Sequence, residues 1–176
     1  MRPTLFLTVG LPGTGKTTAA RRIEVDYGAL RLTKDEWVRP LYGSENPPAA
    51  QDVIEGRLVQ VGLRALELGV DVVLDFGLWS RDERSALRWI AHARGIPVRV
   101  VYLPIDYEEQ RRRVSDRARN EPGQFHLSDA ELAQWHGRLE VPEEEELRGD
   151  HIPPPPTGCA TWAQWASERW PSLPDG

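Results

Sequence analysis

Apolar and polar residues fall into blocks along the chain, and the period inside the blocks switches between strand and helix. Thr4 to Val9 is a short apolar, β-branched run that ends at a glycine-rich turn, which predicts a buried strand. Lys16 to Tyr27 then reads as a helix and Ala29 to Leu32 as a second strand. From Pro48 to Leu68, residues such as Val53, Ile54, Leu58, Val61, Ala65 and Leu66 recur at mostly helical spacing, and Gly69 closes the segment. Val70 to Leu74 and Val98 to Leu103 are nearly continuous apolar runs, with a helix predicted between them from Arg81 to Ala93 and stopped by Gly95. Strands that alternate with helices imply right-handed βαβ crossovers. The expected fold is therefore α/β, a parallel sheet between two helical layers.

The later part of the chain is more polar. Asp106 to Arg119 predicts a strongly charged helix, Asn120 to His126 has the turn-rich composition of a lid, and a helix is expected from Ser128 or Asp129 to about Leu139. The acidic run Glu143 to Glu146, the proline run Pro153 to Pro156 and a tail with Trp162, Trp165 and Trp170 follow. A length of 176 residues suits one domain. We divide it into a domain over 1–150, with the lid at about 106–127, and a Pro/Trp-rich tail over 151–176 packed on that domain.

Composition narrows the function. A net charge of −5 argues against a surface that coats long nucleic acid, which needs many Lys and Arg on phosphates. No apolar run is long enough to cross a bilayer and no signal peptide opens the chain, so a cytoplasmic protein without a membrane partner is expected. Cys159, the single cysteine, has no disulfide or zinc pattern around it.

The strongest chemical signal is the run Gly10, Leu11, Pro12, Gly13, Thr14, Gly15, Lys16, Thr17, followed by Thr18. It fills every fixed position of the P-loop pattern, and it lies between a strand and a helix as that pattern requires. Glycines let successive N–H groups point into a nest for phosphates at the positive end of the helix. Lys16 is placed to reach the β- and γ-phosphates of ATP, and the Thr17 hydroxyl to bind Mg²⁺. Asp75 ends the run Val72-Val73-Leu74, at the carboxyl side of a parallel strand where ligands bind, and is the second candidate for Mg²⁺.

With these residues in view, the chain resembles the small P-loop kinases of the polynucleotide kinase, chloramphenicol phosphotransferase and zeta-toxin type. The likeness rests on the loop, on Leu32-Thr33-Lys34-Asp35-Glu36, on Val72-Val73-Leu74-Asp75 and on Arg113 to Arg117, within roughly the first 145 residues. It implies a three-layer P-loop fold with about five parallel strands in the order 2-3-1-4-5. It also implies Asp35 as the group that orients and deprotonates the acceptor hydroxyl, Arg117 on the transferring phosphate and Arg113 near adenine. A helix cap is the alternative for Asp35, and a solvated helix face for the arginines. Arg39 is a candidate for acceptor phosphate, four positions after Asp35 where the polynucleotide kinase pattern has three, and Trp79 a candidate wall of the acceptor pocket. The implied activity is transfer of the γ-phosphate of ATP, with Mg²⁺, to a hydroxyl of a small molecule, nucleoside or nucleic-acid end. The alternative is an ATP-binding switch that acts through a protein partner.

Overall fold

Successive side chains of a strand point to opposite faces of its sheet, and β1 (Leu5–Val9) divides its residues accordingly. Leu5, Leu7 and Val9 enter the larger core cluster, whereas Phe6 enters a smaller one on the other face. The computed structural model describes residues 2–43, 47–120 and 128–174. After β1 come α1 (Lys16–Tyr27), β2 (Leu30–Thr33), α2 (Lys34–Tyr42), α3 (Pro48–Glu67), β3 (Val72–Gly77) and α4 (Arg81–His92). They are followed by β4 (Val98–Tyr102), α5 (Tyr107–Asn120), α6 (Asp129–Arg138), α7 (Glu144–Arg148) and α8 (Trp162–Arg169). The sheet has the order β2-β3-β1-β4, and every pairing is parallel. Ala20 and Ile23 of α1 cover one face, α3 and α4 cover the other with Leu58, Leu66, Leu87 and Ile90, and α8, packed against α4, adds Trp162 and Ala166 to the same core.

The three-layer α/β fold and the order 2-3-1-4 agree with the sequence, but among the described residues the sheet has four strands instead of about five. After α6 the chain turns back past β3, where the Glu140 N–H donates to the Trp79 carbonyl (3.0 Å), and then enters Pro142 and the glutamate run. Proline lacks the ladder donor and glutamate is a poor strand former. This stretch instead forms α7, which lies against β4. Glu146 fixes it there by accepting from Nε and Nη2 of the fully buried Arg84.

Three local differences bear on function. β3 starts and ends later than expected, because Gly69 has a positive φ of 86°, the Val70 N–H still bonds the Ala65 carbonyl, and Asp71 accepts from the Thr4 N–H. Asp75 thus lies within the strand and shares the face of Val73, the face that α1 covers. Thr33 occupies the N-cap position of α2, and Asp35 sits in the first turn, so Asp35 is not the cap. The tail, for which no helix was expected, forms α8 and delivers Trp170, fully buried, whose Nε1 donates to Glu55 Oε2 (3.0 Å). Of the expected lid over about 106–127, the first part forms α5, and the turn-rich part over 121–127 lies outside the described residues.

Candidate functional site

The loop between β1 and α1 is held by donors from other elements. Trp79 Nε1 donates to the Gly10 carbonyl (3.0 Å), Gln110 Nε2 to the Pro12 carbonyl (3.0 Å) and Arg113 Nη1 to the Gly13 carbonyl (3.3 Å). The Leu11 carbonyl accepts from Thr14 Oγ1 and from Lys16 Nζ, both at 2.8 Å. With these carbonyls engaged, the first amides of α1, which have no partner within the helix, remain to meet a ligand. Gly15, the N-cap of α1, has φ 90° and open space where a Cβ would be; Gly13, with φ 86°, would bring a Cβ to 3.3 Å from Val114. Both positions need the left-handed backbone that glycine adopts without strain.

Across from the loop, Asp75 is buried and met by three hydroxyls. Thr17 Oγ1 donates to Oδ2 at 2.8 Å, and Thr8 and Thr33 lie within 3.3 Å of Oδ1 and Oδ2 respectively. Thr8 and Thr33 come from the strands on either side of the carboxylate and fix its orientation. Thr17 and Asp75 together offer a hydroxyl and a carboxylate, hard oxygen donors of the kind that Mg²⁺ prefers when it also keeps waters and ligand phosphates. Among the described residues no group of three or more His, Cys, Asp or Glu side chains could hold a metal.

Lys16 is the electrostatic centre of the site. Burial pushes its ammonium pKa down from the usual 10.5 to about 8, the charges of Asp75 and Asp35 oppose that shift, and those of Arg117 and Lys34 add to it. The cation is short of solvation, and a polyphosphate would add counter-charge beside it.

A cavity of about 510 Å³ opens over the loop. Its walls include Pro12, Gly13, Gly15, Lys16, Thr17, Thr18, Asp35, Asp75, Trp79, Arg113 and Arg117. Of the other residues singled out in the sequence, Gly10, Leu11 and Thr14 shape the loop without lining the cavity, whereas Arg39 is exposed on α2 and is not part of the wall. The arginine cluster splits. Arg113 and Arg117 face the cavity, while Arg111, Arg112 and Arg119 pair with Glu108, Asp129, Glu109 and Asp116 on the solvated side of α5.

Sequence reasoning missed Lys34, Phe76, Gly77 and Trp135, which also line the cavity. Lys34 stood inside the quoted segment around Asp35. Trp135 had no local signal; it arrives on α6 and meets Trp79 with ring centroids 5.6 Å apart.

Comparison with known proteins bears on the family and the fold. The family model described as "AAA domain" matches residues 5–142. No curated protein matches the chain by sequence. Among solved structures, Kti12 of Chaetomium thermophilum, bound to ADP-AlF3, aligns with a TM-score of 0.66 at 19% identity, over 97% of this chain and 99% of that one. A gluconokinase of Sinorhizobium meliloti aligns with a TM-score of 0.58 at 20% identity, over 98% and 92%. A chain of the Pnkp1/Rnl/Hen1 RNA repair complex aligns with a TM-score of 0.63 at 19% identity, over 78% of this chain and 44% of its own length, so this protein spans less than half of that relative. At these identities the likeness is one of fold.

Proposed function

The chain belongs to the AAA-domain family, and from that premise we propose that it is an ATP- and Mg²⁺-dependent kinase that transfers the γ-phosphate to an alcohol. One observation carries the proposal: Asp35, a carboxylate with no hydrogen-bond or ion-pair partner among the described residues, shares a cavity with the P-loop and acts on Lys16 by its charge. A nucleotide switch needs the loop, Lys16, Thr17 and Asp75. It has no use for an unpartnered carboxylate facing them.

Each residue then has a role that its chemistry suits. The amides at the start of α1 bind the α- and β-phosphates, and the Lys16 ammonium reaches the β- and γ-phosphates. Thr17 and Asp75 hold Mg²⁺, which when bound neutralises charge on the phosphate oxygens. Asp35 accepts a hydrogen bond from the acceptor hydroxyl and aligns its oxygen with the γ-phosphorus. The new P–O bond forms as the bond to the β–γ bridging oxygen breaks, the hydroxyl proton passes to Asp35, and ADP leaves. Arg117 supports the charge on the transferring group, and Arg113, already on the Gly13 carbonyl, flanks the nucleotide. Trp79 and Trp135 form an aromatic wall beside this path.

The test is transfer from γ-labelled ATP to a panel of alcohols, nucleosides and 5′-hydroxyl oligonucleotides. Label should appear on at least one acceptor about tenfold faster than in free phosphate. Release of phosphate alone, at a rate no acceptor changes, would favour the switch that acts through a protein partner.

Lys16 makes nucleotide affinity depend on pH in a defined direction. Phosphates favour its charged form, so the bound protein holds the proton to higher pH than the free protein, where the pKa is about 8. Below that value binding takes up no proton at Lys16. Above it each ATP brings a proton with it, and affinity should fall by up to about tenfold per pH unit. Titration calorimetry at about pH 9 in two buffers of different ionisation enthalpy reads this uptake directly. Affinity that stays flat from neutral pH to about 9.5 would remove Lys16 from the phosphates.

A further inference from the structure

A second cavity, of about 410 Å³, adjoins the first and shares Lys34, Phe76 and Trp79 with it. The alternation of β3 explains the division. Asp75 points to the α1 side and Phe76 to the opposite side, so the strand that holds the metal-binding carboxylate also supplies a wall of the neighbouring space. Its far side is built from the tail, which brings in Arg169, and from Arg138 at the end of α6.

The charges in this cavity are unequal in their partners. Arg169 donates to Asp52 Oδ1, to Glu55 Oε2 (3.1 Å) and to Glu83 Oε1 (2.7 Å). Lys34 Nζ donates to Glu55 Oε1 at 2.9 Å, and the other oxygen of Glu83 caps α4 by accepting from the Ser80 N–H. All three carboxylates are thus supplied with donors, and both Lys34 and Arg169 are committed to them. Arg138 is different: it lines the cavity and has no hydrogen bond or ion pair within the described residues. Its place is set by its neighbours, because the Glu140 N–H bonds the Trp79 carbonyl and the Glu140 carboxylate accepts from the Arg81 N–H.

We infer that this second cavity is the acceptor subsite, and that it takes a small polyhydroxylated compound with an oxyanion group, a carboxylate or phosphate monoester, docked on Arg138. The inference rests on the kinase reading above. A planar guanidinium with five donors suits a two-oxygen anion, and the donor-saturated carboxylates of Glu55 and Glu83 keep lone pairs for substrate hydroxyls. Trp79 and Phe76 give the carbon skeleton an apolar surface. Arg169 lines the cavity from the tail side, and a volume of about 410 Å³ suits a small molecule.

Matched pairs of probes test this: glycerol against glycerate for a carboxylate, ribose against ribose 5-phosphate for a phosphate monoester, and a 5′-hydroxyl oligonucleotide. Binding is read by tryptophan fluorescence on protein saturated with ADP and Mg²⁺, so that the P-loop is already filled, and transfer is read from labelled ATP. The anionic member of at least one pair should bind or react at least about tenfold better than its neutral partner. Arg138→Ala should reduce that preference below about threefold with ATP affinity unchanged, and Arg138→Lys should restore part of it. Equal use of neutral and anionic members, a preference that survives Arg138→Ala, or preference for the oligonucleotide would overturn the inference while the kinase reading stands. If ATP binds and nothing in any panel is phosphorylated, the kinase reading fails and the acceptor assignment falls with it; anion binding abolished by Arg138→Ala would then show an anion site alone.

Discussion

Asp35→Asn is expected to slow phosphoryl transfer by about 10²–10⁴-fold while the affinity for ATP changes by less than about twofold. Asparagine keeps the size of the side chain and one oxygen that can accept the hydroxyl hydrogen bond, but it cannot take the proton. A loose phosphoryl-transfer transition state asks more for orientation than for a strong base, which places the expected loss toward the lower end of that range. Asp35 stands in the first turn of α2 with its carboxylate exposed and directed to the cavity, so the substitution removes no buried partner and should leave folding intact. Initial rates with saturating ATP, together with a separate binding titration, distinguish chemistry from affinity. Transfer within about threefold of the unaltered protein would show that Asp35 only borders the site, and unchanged acceptor-independent hydrolysis alongside it would return weight to the switch.

The parts of the molecule that were legible in the sequence are those set by neighbours in the chain. The strand–loop–helix of Leu5 to Tyr27 follows from an apolar run, a glycine pattern and a helical block, all within one short stretch. Asp75 was legible because a polar residue closing an apolar strand marks the ligand side of a parallel sheet. Helix α8 was not, and α2 was legible only as the helix that a cap at Asp35 would open. Helix α2 carries Pro40 in its interior and opens with Lys34, Asp35 and Glu36, so no apolar period announces it. The tail was readable as tryptophan-rich, but its architecture depends on Arg169 reaching Asp52, Glu55 and Glu83 and on Trp170 reaching Glu55, contacts separated by 86 to 117 residues. A shorter but still long separation hid Trp135 and Arg138, whose places depend on how α6 docks beside Trp79. Arg39 shows the converse error. The resemblance suggested it although its spacing from Asp35 departs by one from the pattern, and it is not among the residues of the cavity wall.

Lys16→Met should weaken nucleotide and strengthen the free protein, two effects of opposite sign from one residue. Methionine fills much of the space of the lysine stem and removes the ammonium. With the charge-assisted bonds to two phosphates gone, kcat/KM for ATP should fall by about 10²–10⁴-fold, the sum of two contacts of about 1.5–3 kcal/mol each. In the absence of nucleotide the balance reverses. Lys16 has a folded pKa of about 8 against 10.5 for an unconstrained lysine. The unfolded chain therefore holds the proton more tightly than the folded one. That penalty is fully present below pH 8 and shrinks as pH rises toward 10.5, because only the folded state releases its proton in that window. The charges of Asp75 and Asp35 offset part of the burial penalty, and we expect Lys16→Met to gain about 1–2 kcal/mol at neutral pH. For a chain of this size that is a rise in Tm of a few degrees. The difference in Tm between the two proteins should narrow from pH 8 to 10, and added ATP should raise Tm in the unaltered protein alone. A variant that melts lower without nucleotide and still gains stability from ATP would mean that Lys16 is a structural cation. A functional site that keeps an undersolvated charge in readiness for its ligand gives up folding stability to do so, and this substitution measures how much.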